Sequence, residues 1–186
     1  VLLENNLEDL IKLFEHCTKK KYDFFSIAIK RNNYLKQFPT LSKELTEEFY
    51  LKEYPIEPYF DMEKFKEVYT ELVKMAKKSP TKLRWAPKFK PNMQGLKQIE
   101  YLFENGDKPV TELFKPCMFP CSNLFINPEG KIYPCLSVEM GSLREKTLME
   151  IFNSPKYRCF RKNLKASKLF TGCQLCCEAY PIKKEK

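Results

Sequence analysis

The chain has 186 residues, of which 43% are hydrophobic, and a formal net charge of +9. That length and apolar share allow a real core in one medium domain or a small pair. No apolar run approaches the roughly 20 residues that span a bilayer, and no secretory signal opens the chain, so a membrane partner is not expected. The basic residues are mostly lysines, spread along the chain and not gathered into an arm; they read as a solvated surface, which argues against a nucleic-acid partner.

The chain begins Val1-Leu2-Leu3, without a methionine and inside what reads as the end of a strand. It is therefore expected to be a piece whose front half lies outside this sequence. Asn6 is the expected cap of a helix in which Leu7, Leu10, Ile11, Phe14 and Cys17 share one face. Cys17 is read as core, and His16, the single histidine, as a surface or capping residue. Phe24 to Ile29 is an apolar run of strand length. Strand, amphipathic helix, strand is the pattern of a parallel β/α unit.

A second helix is expected from Pro39-Thr-Leu-Ser42, with Ser42 as cap, and Pro55 and Pro58 break the chain. Asp61 then caps the most regular helix of the sequence, whose buried face is Phe65, Val68, Tyr69, Leu72, Val73 and Ala76. Leu83-Arg-Trp-Ala86 reads as another strand between Pro80 and Pro87, with Trp85 in the core. Asn92 to Phe103 reads as a helix with Met93, Leu96, Ile99 and Phe103 inward, closed by Asn105-Gly106. The composition changes between Pro109 and Pro116, which sets the expected units at 1–110 and 111–186.

Six of the eight cysteines fall into two groups beyond that boundary, Cys117, Cys121 and Cys135, then Cys173, Cys176 and Cys177. Without a secretory signal, clustered cysteines argue for a reducing, cytoplasmic setting, and for metal ligands over disulfides. Leu124–Ile126 and Lys131–Tyr133 are expected to form a hairpin around Asn127-Pro-Glu-Gly130. A hairpin brings its ends together, so Cys117 and Cys135 become neighbours. After a loop at Met140-Gly141, Thr147 caps a short helix over Leu148–Phe152. Ser154-Pro155 opens a longer helix to about Ala166, with Tyr157, Cys159, Phe160 and Leu164 as its apolar residues. Cys159 is read as core. That helix returns the chain to Gly172-Cys173-Gln-Leu-Cys176, a C-x2-C turn presenting two sulfurs on one side. Cys117, Cys135, Cys173 and Cys176 rank first as ligands, with Cys121 and Cys177 behind them. Four thiolates suit either zinc or an iron–sulfur cluster.

The run Cys117-x12-Gly130-x4-Cys135, with Ile126-Asn-Pro-Glu-Gly-Lys-Ile-Tyr-Pro-Cys135, resembles the opening of the SPASM or twitch domain found at the C-terminus of many radical S-adenosylmethionine enzymes. Gly141, then Thr147-Leu-Met-Glu-Ile-Phe-Asn-Ser-Pro-Lys-Tyr-Arg158 with Arg161, and the closing Cys173-x2-Cys176 agree in order and spacing. The resemblance spans roughly Pro116 to Pro181. It implies an α+β chain: the last β/α units of a partial (β/α) barrel, followed by a small cysteine-rich domain of a β-hairpin plus helices. It also implies an auxiliary [4Fe-4S] cluster on Cys117, Cys135, Cys173 and Cys176. Only Cys159 lies between Cys135 and Cys173, so the one-cluster twitch version fits better than the longer two-cluster pattern. The family's Cys-x3-Cys-x2-Cys motif is absent, since Cys117-x3-Cys121 lacks the third cysteine. S-adenosylmethionine and a second [4Fe-4S] cluster then belong to an N-terminal part outside this sequence.

The expected function is the C-terminal fragment of a radical SAM enzyme, inactive alone. Its auxiliary cluster would assist substrate binding or electron transfer in radical modification of a peptide or small molecule, with a reductant protein as partner. The alternative is a zinc-binding, non-catalytic module that recognises a protein or nucleic acid.

Overall fold

A computed structural model describes residues 2, 5–29, 59–105, 110–135, 138–170 and 173–182. The expected helix at Pro39–Ser42, the breaks at Pro55 and Pro58, and the glycines Gly106 and Gly172 lie outside these residues. The described chain mixes helices with small sheets, as an α+β class requires.

The first part is built on two parallel strands. β1 (Phe24–Ala28) pairs with β2 (Lys82–Ala86), with Phe25 opposite Leu83 and Ile27 opposite Trp85. Leu2, the described residue of the strand end expected at Val1–Leu3, bridges to Ile29 in parallel on the other side of β1. The sheet buries one face. Ile27, Leu83 and Trp85 point into the core, while Phe24, Ser26, Lys82 and Arg84 are exposed. Arg84 covers part of the exposed Phe24 ring, 4.1 Å from its centroid.

Three helices pack with this sheet. α1 (Asp9–Lys19) turns Leu10 and Phe14 inward. Its N-cap is Glu8 and not the expected Asn6; a turn in which Leu10 N–H donates to the Leu7 carbonyl separates Asn6 from the helix. Cys17, expected in the core, is only half-buried and is not among the residues of either core cluster, while His16 is exposed as expected. α2 (Met62–Ala76) starts at Asp61, whose carboxylate accepts from Glu63 N–H at 2.9 Å and Lys64 N–H at 3.1 Å. These bonds satisfy two of the amides that a helix start leaves without intrahelical partners. Phe65, Val68, Tyr69, Leu72 and Val73 are buried, and Ala76 partly so. Tyr69 stacks on Trp85 with centroids 4.8 Å apart, which puts Trp85 in the core.

α3 (Met93–Asn105) begins after Asn92, whose side-chain oxygen accepts the Gly95 N–H at 2.9 Å. Leu96 and Ile99 are buried as expected, but Met93 is exposed and Leu102 is buried in its place. The apolar stripe runs 95-96-99-102, which leaves position 93 on the outer side.

Beyond Val110 the chain becomes compact loops and short elements. α4 (Phe119–Ser122) is a single turn that the sequence pattern did not announce. β3 (Phe125–Ile126) and β4 (Lys131–Tyr133) form the expected antiparallel hairpin. β5 (Gly141–Ser142), expected as loop, adds a third strand against β4. α5 (Leu148–Phe152) has a full capping box: Glu150 N–H donates to Thr147 Oγ1 at 3.3 Å and Thr147 N–H donates to the Glu150 carboxylate at 2.8 Å. α6 (Pro155–Ser167) follows Ser154, which accepts the Tyr157 N–H. It buries Tyr157, Phe160 and Leu164. Cys159, expected in the core, is exposed. It follows Tyr157 by two positions and precedes Phe160 by one, and so falls off the i, i+3, i+7 stripe.

The buried residues form two clusters. One joins the sheet and α1–α3 and also takes in Leu169, Leu175 and Ala179. The other gathers Ile132, Val138, Met140, Ile151, Tyr157, Phe160, Leu164 and Phe170. Cys117 and Cys173 pack against both.

Candidate metal centre

The hairpin does what its turn chemistry requires. Gly130 takes φ +80°, and Asn127 Oδ1 accepts the backbone N–H groups of Glu129 and Lys131 at 3.1 and 2.8 Å. Cys135, two residues past β4, and Cys117, ahead of α4, line one cavity of about 70 Å³. Cys173, Cys176 and Cys177 line the same cavity, so four residues ranked first and one ranked second meet there. Cys121 is exposed and does not line it; Cys17 and Cys159 lie elsewhere.

The second cysteine group is shaped by a tight run of turns. Cys173 N–H donates to Phe170, Cys176 N–H to Cys173 and Ala179 N–H to Cys176, all to backbone carbonyls within 3.0 Å. Glu178 N–H points at Cys176 Sγ, 3.4 Å away. The fully buried Gln174 accepts the Val110 N–H at 2.9 Å and so ties this turn to the start of the segment. Phe114 and Pro181 form an antiparallel bridge just outside it.

Apart from Glu178, the remaining walls are apolar. Phe119 and Phe125 stack at 5.5 Å on one side, and Phe160 meets Phe170 edge-on at 5.6 Å on another. Burial in this setting pushes the Cys117 thiol up, an effect only partly countered by a hydrogen bond from the Phe119 backbone; Cys121 and Glu178 push it further up. A thiolate there is unfavourable without a cation, so metal binding must expel the proton.

Among the described residues no three His, Cys, Asp or Glu side chains converge as ligands of a single metal ion. Four thiolates on one zinc would need sulfurs about 3.8 Å apart, from Zn–S bonds of about 2.3 Å in a tetrahedron. Around a four-iron cluster each thiolate takes its own iron and the sulfurs stand further apart. Several cysteine thiols around one apolar-walled cavity are a donor set of the kind that iron–sulfur clusters take.

A second cavity, of mixed polar and apolar lining and about 430 Å³, also borders Cys117 and is lined by Lys115, Asn123, Glu178 and Tyr180 among others. Sequence reasoning missed Glu178 and Tyr180. Their nearness to Cys176 was the one available signal. No signal pointed to Lys88, which pairs with Glu178 across the fold.

No curated protein and no solved structure matches the chain. Residues 117–177 match the family model of SPASM, an iron-sulfur cluster-binding domain.

Proposed function

We propose that the chain binds one auxiliary [4Fe-4S] cluster through Cys117, Cys135, Cys173 and Cys176, and that it is the C-terminal part of a radical SAM enzyme modifying a peptide or small molecule. The observation that carries this reading is the convergence of both cysteine groups on one apolar cavity inside the matched SPASM segment. The parallel β1–β2 pair with its Leu2 bridge, and the helices packed with it, support reading residues 1–110 as the last β/α units of a partial barrel, with 111–186 as the cluster domain.

A bound cluster of this kind supplies one-electron chemistry or a Lewis-acidic iron beside the substrate. The chain's own part is to hold four thiolates, exclude water with Phe119, Phe125, Phe160 and Phe170, and leave the larger second cavity beside Cys117 as an approach for substrate. A reductant protein exchanges the electron. A reducing cytoplasmic compartment suits the cysteine content. Among the described residues no helix is long and apolar enough to cross a membrane. The S-adenosylmethionine motif is absent from these 186 residues, so the chain alone does not cleave S-adenosylmethionine.

The test is anaerobic reconstitution with iron and sulfide, followed by metal and sulfide analysis and an absorption spectrum. About four irons and four sulfides per chain, with broad brown absorbance, is the expected result. Alanine at Cys117, Cys135, Cys173 or Cys176 removes or weakens the signal, while alanine at Cys17, Cys121 or Cys159 leaves it intact. One tightly held zinc in a colourless protein would overturn the reading.

A further inference from the structure

One polar group reaches the cysteine cavity. Glu178 lies two residues after Cys176 and lines the cavity beside the cysteines. Its backbone N–H meets Cys176 Sγ at 3.4 Å, and its carboxylate pairs with the Lys88 ammonium at 2.9 Å. Lys88 comes from a distant part of the sequence, just past β2. Its ammonium also donates to the Tyr180 hydroxyl at 2.6 Å and stands 3.9 Å from the centroid of that ring. Its backbone N–H donates to the Ala179 carbonyl at 3.4 Å. A single lysine thus holds Glu178, Ala179 and Tyr180, the residues that follow the last cysteines.

An isolated surface ion pair contributes little. This one is fixed by three further contacts and borders the apolar-walled cysteine cavity, where a charge is screened less than in bulk water. The potential of an iron–sulfur cluster follows the net charge around it and the hydrogen bonds to its sulfurs, and residues that orient the ligands tune it.

We propose that Lys88 and Glu178 form a charge-balanced pair that sets the reduction potential of the cluster held by this cavity, with Lys88 acting as a positioning residue for Glu178. The inference rests on the cluster-binding reading above. One-electron reduction, by an external reductant, adds a negative charge to the cluster. The intact pair is neutral and biases that step little. Lys88→Met leaves a bare carboxylate beside the cavity, opposes the added charge and lowers the potential. Glu178→Gln leaves a bare ammonium and raises it.

The experiment is a dithionite redox titration, followed by electron paramagnetic resonance, on the reconstituted full chain and its variants. Lys88→Met is expected to shift the midpoint downward, Glu178→Gln upward, and the double variant to return close to wild type. Lys88→Arg, which keeps the charge, stays with wild type. Both side chains are about one-third exposed (37% and 35%), so the separation between the two single variants shrinks as salt rises from about 0.01 M to about 1 M and the screening length falls from about 30 Å to about 3 Å. A contact that merely braces the cysteine turn would move both single variants in the same direction. That outcome, or no shift in either, overturns the inference while leaving cluster binding intact. A wild-type chain that takes up no iron and sulfide overturns the cluster-binding reading and this inference with it.

Discussion

Cys117 donates its backbone N–H to the carbonyl of Lys168 at 3.0 Å. The first ligand of the proposed site is thereby fastened to the end of α6, the helix that carries the chain back to Cys173. Lys168 holds this position at φ +63°, ψ −40°, a conformation that side chains resist.

Glycine at position 168 is therefore expected to stabilise the protein. Relief of backbone strain is worth about 1–3 kcal/mol, and the greater freedom of an unfolded glycine takes back about 0.4–1 kcal/mol. The net gain for Lys168→Gly is about 1 kcal/mol, read as a higher denaturation midpoint at unchanged slope. Iron content after reconstitution should not change, because the Cys117 N–H still meets the carbonyl of residue 168. A loss of stability would mean that the lysine side chain matters more than its backbone.

Gly95 makes the opposite case. A Cβ there would overlap the Lys90 carbonyl oxygen and come within 2.9 Å of the Tyr69 hydroxyl. That hydroxyl already donates to the Lys90 and Asn92 carbonyls at 2.9 and 3.1 Å. Alanine favours a helix interior by about 1 kcal/mol over glycine, but crowding of this kind costs about 1–3 kcal/mol or more. Gly95→Ala should lower stability, and adding Tyr69→Phe should not restore it, because the closest clash is with backbone. Equilibrium unfolding of the three chains tests both statements.

Gly130 separates backbone strain from crowding. At φ +80° its added Cβ would meet only Leu143 and Arg144 side-chain atoms, at 3.8 and 3.9 Å, which is ordinary contact. The cost of Gly130→Ala is then the left-handed backbone alone, about 1–2 kcal/mol, less the unfolded-state gain, leaving a loss of about 1 kcal/mol. Asn tolerates this region better, so Gly130→Asn should lose less. In a chain of this size a 1 kcal/mol loss lowers the melting temperature by about 2–4 °C.

These residues also mark what the sequence could say. Asp61 at a helix start, Pro155 after Ser154, and Gly130 in a turn are local signals, set by hydrogen bonds within a few positions, and each appears in the fold as read. Cys117 and Cys135 line one cavity as the hairpin led us to expect, but Cys117 stands ahead of α4 and is tied to Lys168, a contact the hairpin does not supply. Features that depend on distant chain were not legible. β5 is two residues long and exists because β4 offers an edge. Met93 was assigned inward by its apolar character, but packing selected Leu102. Cys177 was ranked behind because it adjoins Cys176, yet the turn through Cys176 and Ala179 leaves it on the cavity wall. Lys88 reaches Glu178 only because the loop after β2 runs beside the last turn of the cysteine segment.

Tyr157 provides a test by pH. Its ring is fully buried on α6, its hydroxyl donates to the Pro120 carbonyl at 3.2 Å, and burial pushes the hydroxyl up to about 12, against an opposing effect of Arg161. In the unfolded chain it ionises near the ordinary value of 10.0. Below that value both states keep the proton and stability does not depend on it. As pH rises from about 10 toward about 12 the unfolded state loses the proton first, so stability falls across that window and levels off above it. Tyr157→Phe removes the ionisation and leaves the Pro120 carbonyl without this donor, a loss of about 1–2 kcal/mol at neutral pH. The difference between wild type and Tyr157→Phe should therefore be largest at neutral pH and narrow from about pH 10 upward. A residual alkaline loss persists in the variant, because buried Tyr69 is also shifted upward, chiefly by burial. Urea unfolding at a series of pH values measures the difference directly. A gap that stays constant through the window would mean that Tyr157 ionises in the folded chain as it does in the unfolded one, and that its hydroxyl is not held dry against α4.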